Sequence, residues 1–88
     1  MPYIPKTKRA MLEPRPEAAA RVAGELSFQV ARLCVQYVKT CGRSYITFAE
    51  VLGALESTKA EFFRRVVAPY ENGKRRQAGD VFEDLGDG

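Results

Sequence analysis

An all-α fold is predicted for this 88-residue chain. The expected architecture is an antiparallel helical hairpin with a short N-terminal helix and extended arms, assembled as a helical-bundle oligomer. Three observations carry it. Two long segments, 25–40 and 47–68, repeat apolar residues at three- and four-residue steps, the period of a helix face. Gly42 and Pro69 stand where those segments should stop. No stretch alternates long enough to argue for a sheet. At 9.8 kDa the chain is one small domain with a thin core.

Residues 1–16 read as an arm. Pro2, Pro5, Pro14 and Pro16 restrict the backbone and disfavour a long helix before Pro16. Residues 17–68 read as the helical domain. Glu17 to Val22 is Ala-rich and helix-prone, with Pro16 suited to a first helical position and Gly24 to a turn or kink. From Glu25 to about Thr40 the apolar stripe is Leu26, Val30, Leu33 and Tyr37, widened by Phe28, Ala31, Val35 and Val38. A helix so broadly apolar needs cover on more than one side. Gly42 supplies its left-handed stop, with Lys39 well placed in the last turn.

The second long helix is expected from Thr47, because Thr47 and Glu50 fit a capping box and Ile46 can staple to Val51. Its stripe is Phe48, Val51 or Leu52, Leu55, Phe62 and Val66, with Phe63 and Val67 spreading toward a second surface. Gly53 and Ala54 permit close helix approach. Glu56 with Lys59, and Glu61 with Arg64 and Arg65, have helical pairing distances. Pro69 is expected to end the helix near Ala68. Residues 69–88 then read as a tail, beginning with a turn at 69–73.

Two helices cannot cover Phe28, Val35, Val38, Phe63 and Val67 as well as their facing stripes. A second copy could, giving a four-helix arrangement across a two-fold axis. The other solution is that the short helix and arms cover this surface within one chain.

Charge is uneven. The net charge is +3, from 14 basic and 11 acidic residues, and residues 1–23 hold five basic and two acidic side chains. Residues 69–88 hold three basic and five acidic ones, with the basic run Lys74-Arg75-Arg76 ahead of an acidic end. Cys34 and Cys41 lie seven apart. On one helix that is roughly 10 Å, too far for a disulfide, so both are expected as free thiols. The opening Met1-Pro2-Tyr3-Ile4-Pro5-Lys6 has no apolar signal core, and no run approaches the ~20 apolar residues of a membrane span. A soluble, cytoplasmic protein is expected.

The residue types exclude much chemistry. There is no His in the chain, hence no imidazole base, catalytic triad or Cys/His zinc site. Glu50 and Glu61 share a helix face but stand ~16 Å apart, so they cannot hold one ion. The Gly-containing connections match no phosphate-loop pattern. No enzyme activity, metal or cofactor is implied.

The remaining candidate is basic and aromatic. Arg64 and Arg65 end the long helix, Tyr70 follows Pro69, and Arg75 and Arg76 come next. Tyr3, with Lys6, Lys8 and Arg9, offers a second set. Guanidinium forks match phosphate and a tyrosine ring can stack on a base. The plainer reading is helix-end electrostatics, with Arg64 or Arg65 pairing to Glu61 or Glu71.

Met1-Pro2-Tyr3-Ile4, Gly24-Glu25-Leu26-Ser27-Phe28, Gly53-Ala54-Leu55-Glu56, Lys59 to Glu71 (most specifically Arg64-Arg65-Val66-Val67-Ala68-Pro69-Tyr70-Glu71) and the Asn72-Gly73 to Gly79-Asp80-Val81 stretch together resemble a group of small phage- and prophage-associated proteins. The resemblance covers most of the chain and implies origin more than activity. It departs at the insertion-like stretch 73–78 and at the acidic end.

The expected function is a non-catalytic helical interaction protein. It would bind an anionic partner, either a host protein surface or a phosphorylated or nucleotide small molecule, in a counter-defence setting within the host cytoplasm. Nucleic-acid binding and a structural or assembly role are the competing classes. A salt titration separates the nucleic-acid class, whose affinity falls steeply with salt.

Overall fold

A computed structural model describes residues 4–82. Among them there is no strand. The helices are α1 (Lys6–Leu12), α2 (Ala23–Cys41), α3 (Tyr45–Phe62) and α4 (Ala68–Ala78), with a 3₁₀ turn at Pro16–Ala18 and a π-helical turn at Phe63–Val67. The all-α class is as the sequence predicts. The chain divides into two units, Met1–Leu55 and Glu56–Gly88.

In the first unit the short helix lies earlier than expected. It occupies 6–12, inside the segment read as an extended arm, while 17–22 supplies only the end of the 3₁₀ turn. Prolines frame it: Pro5 is its N-cap, and Pro14 forces Glu13 into an extended conformation that ends the helix. Gly24 does not break the chain. It sits in the first turn of α2, and the Glu25 carboxylate of that turn accepts from the Arg21 N–H, just ahead of the Val22 N-cap, at 2.9 Å.

α2 ends as expected. Gly42 takes φ 96°, the left-handed region that other residues enter at a cost. Its N–H bonds the Val38 carbonyl at 2.7 Å, and Lys39 stands in the last turn.

α3 begins two residues before the expected Thr47. Ser44 is its cap: the Ser44 hydroxyl accepts from the Thr47 N–H at 3.1 Å and donates to the Thr47 Oγ1 at 3.1 Å. Ser44 precedes Thr47 by three, so it caps the third helical N–H in the way the sequence suggests for Thr47 and residue 50. Ser44→Ala should lower stability by about 1 kcal/mol, read from the urea midpoint at fixed protein concentration.

In the second unit Pro69 does not stop the helix. It occupies the first turn of α4. A proline ring would clash with the carbonyl four residues back, here Arg65. The preceding turn widens instead, and the Ala68 N–H reaches back five residues to the Phe63 carbonyl. This π turn absorbs the clash and the missing N–H together. The expected turn at 69–73 is therefore helical. Gly79, at φ 88°, closes α4.

Packing leaves the apolar faces of the helices open. Among the described residues no apolar side chain is buried, and Thr47 is the one buried residue. In the first unit the α2 stripe stays open, with Leu26 58% and Leu33 63% exposed. By helical period, Phe28, Ala31, Val35 and Val38 do not widen that stripe, as the sequence reading has it, but form a second apolar face about 150° around α2 from it. Both cysteines are free, Cys34 half-buried and Cys41 exposed.

Candidate functional site

The basic cluster lies in the second unit. Arg64 and Arg65 occupy the π turn and converge on one carboxylate. Arg64 Nη2 donates to Glu61 Oε1 at 3.0 Å and Oε2 at 3.2 Å, and its Nε donates to Oε1 at 3.3 Å. Arg65 Nη1 lies 3.8 Å from Glu61 Oε2. Two cations share one anion, so the trio keeps one positive charge. Both arginines are exposed, and exposed pairs of this kind contribute about 0–1 kcal/mol. They orient the guanidinium forks while leaving them easily recruited by a stronger anion.

One turn of α4 further on, Lys74 Nζ sits 5.6 Å from the centre of the Tyr70 ring. This cation–π contact places a charge beside an exposed aromatic face. Arg75 is engaged elsewhere, 3.7 Å from Asp80 Oδ2. Among the described residues Arg76 makes no ion pair, and it lies about 100° around the helix from Arg75. The structure thus gathers Arg64 with Arg65, and Tyr70 with Lys74, while Arg75 and Arg76 diverge. Tyr3 lies outside the described residues.

The interface candidates are on open surface: Phe28, Val35 and Phe63 are exposed, Val38 and Val67 half-buried. The face of Val35 and Val38 continues past Gly42 to Phe48 in a shallow groove of about 620 Å³, where Arg43 caps the Phe48 ring at 5.8 Å. No three of Cys, Asp or Glu among the described residues gather closely enough to hold a metal ion. No helix is long and apolar enough to cross a membrane.

Against this geometry, residues 1–81 match the family model of a domain of unknown function (DUF6899). The chain belongs to the DUF6899 family. Neither a curated protein nor a solved structure matches it. The DUF6899 match takes in every helix described above and ends at Val81, ahead of Phe82 and the acidic residues that follow.

Two contacts of this DUF6899 chain are not evident from its sequence pattern. Tyr70 and Lys74 are one turn apart only because the helix runs through Pro69; a proline taken as a first-turn residue reveals the pair. Likewise, a capping box at Thr47 would occupy Glu50. With Ser44 as the cap, Glu50 is free to accept from the Tyr37 hydroxyl at 2.8 Å. That bond, helped by partial removal from water and by the Glu50 charge, pushes the Tyr37 hydroxyl up from 10 to about 12.

The proton is held more tightly in the folded state. The bond's stabilisation is therefore complete below pH 10 and is lost as pH rises through about 12. An ultraviolet titration should find the Tyr37 phenolate forming near pH 12, and Glu50→Gln should bring that midpoint back toward 10, since the repelling charge is gone.

Proposed function

We propose that this DUF6899 protein is a non-catalytic interaction protein that completes its core by assembling with copies of itself and presents a basic helix to an anionic partner. The observation that carries the reading is the absence of any buried apolar side chain among the described residues. Two apolar faces on α2 support the same reading, because one neighbour cannot cover both.

The second part rests on Arg64 and Arg65, oriented by Glu61, with Tyr70 and Lys74 beyond. This set suits a phosphorylated or nucleotide ligand, or a phosphate-like patch on a host protein. In a symmetric assembly two such sets can converge between protomers. A phage protein that sequesters a nucleotide signal, or masks a host factor in the host cytoplasm, is the setting this chemistry fits.

The test is native mass spectrometry of the purified protein, followed by calorimetry against nucleotides, cyclic dinucleotides and short nucleic acids at two salt concentrations. An oligomer binding a phosphorylated small molecule supports the reading. Tight nucleic-acid binding that collapses with salt replaces it with the nucleic-acid class. An oligomer that binds none of them leaves assembly as the role.

A further inference from the structure

A groove of about 740 Å³ runs between residues 12–19 and α2 in the first unit. The Gln29 side-chain amide, donating to the Ala18 carbonyl, ties the two walls together. Leu12, Leu26 and Leu33 give the groove apolar walls, while its charged lining is Arg15, Arg32 and Lys39 with no carboxylate. None of these three cations makes an ion pair among the described residues. Such a lining is complementary to an occupant that is apolar and acidic at once.

The sequence contains one segment of that chemistry, Val81-Phe82-Glu83-Asp84-Leu85-Gly86-Asp87. It has three apolar side chains, three carboxylates and no cation. Val81 is 87% and Phe82 68% exposed, so neither has found cover.

We propose that the groove binds this C-terminal segment from a neighbouring copy of the chain. The inference rests on the self-assembly proposed above: the α2 stripe that walls the groove is surface an assembly must cover, so the segment reaching it belongs to the copy that does so. Lengths agree. Leu26 to Lys39 spans about 20 Å of helix, and Val81 to Asp87 spans about 20 Å when extended. Arg32 and Lys39 lie on one line of α2 about 10.5 Å apart. Asp84 and Asp87 are about 9 Å apart on one face of a polyproline-II chain, which repeats every three residues. The Gln36 side chain, also in the groove wall, can donate to and accept from the main chain of such a segment.

The experiment places p-benzoylphenylalanine at Phe82 of the full chain and irradiates it in a mixture with ¹⁵N-labelled wild-type chain. Cross-links should join labelled to unlabelled copies and map to residues 12–19 or 26–39. Arg32→Glu/Lys39→Glu should reduce them about tenfold, since two exposed pairs become repulsions. Asp84→Lys/Asp87→Lys introduced into the photo-reactive chain should restore them. Cross-links confined to a single copy, or mapping outside the groove in a protein that still sediments as an oligomer, overturn the inference and leave self-assembly standing. A monomer by sedimentation fails the self-assembly reading, and this inference with it.

Discussion

Phe28→Asp is expected to abolish assembly and, with it, most of the helical structure. The effect turns on what Phe28 faces. In the single chain it is 65% exposed, so a carboxylate there keeps its water. An exposed substitution away from special features shifts stability by under about 0.5 kcal/mol. In an assembly that buries the α2 face of Phe28, Ala31, Val35 and Val38, the same carboxylate is stripped of water. That costs about 3 kcal/mol or more, a loss of over a hundredfold in association.

Helix formation should fall with it. Helices as short as α1 are marginal in water, and most helical stability in proteins comes from burying an apolar face. Sedimentation and circular dichroism on the same samples check this. Phe63→Asp should behave alike, since Phe63 is also exposed in the chain. Variants as stable and as associated as the wild type would place both rings in solvent.

Arg64→Ala/Arg65→Ala is expected to remove anionic-ligand binding while the protein stays folded and assembled. Their pairs with Glu61 are exposed, so removing them costs little. A phosphate held by two forks loses charge-assisted hydrogen bonds that are roughly twice as strong as neutral ones, and affinity should fall about a hundredfold. Arg64→Lys/Arg65→Lys should rescue only part, because lysine lacks the planar fork. Tyr70→Phe should be mild if the ring stacks on the ligand, as the Lys74 contact on its face suggests. Calorimetry against the phosphorylated ligand that native mass spectrometry identifies measures all three. Unfolding of the double alanine variant would make the two arginines structural.

Local rules recover much of this chain. The stripe Leu26, Val30, Leu33, Tyr37 marks α2, and Gly42 with Lys39 marks its end, because helical period and left-handed glycine are properties of a few neighbouring residues. The spacing of Glu61 with Arg64 and Arg65 likewise suffices to reveal their pairing, since residues three and four apart meet on any helix.

Competition between equally local signals is what misleads. Ser44 and Thr47 are both good caps, and choosing the second hides the Tyr37–Glu50 bond. Pro69 is a stop in most helix interiors but a favoured residue in a first turn, and the π turn at 63–67 that reconciles the two has no sequence signature of its own. Packing is harder still. The residues 28, 31, 35 and 38 say that α2 needs cover on a second side without saying what covers it.

The central claim, that the core of this protein forms between copies, is tested most directly by sedimentation equilibrium with far-ultraviolet circular dichroism across a dilution series from 100 μM to 10 nM (concentrations on the order of those bracketing micromolar to nanomolar affinities). The account predicts an oligomer at the upper end, and loss of helix together with dissociation as the protein is diluted. A 9.8 kDa monomer that keeps its helicity and unfolds cooperatively at every concentration would contradict it.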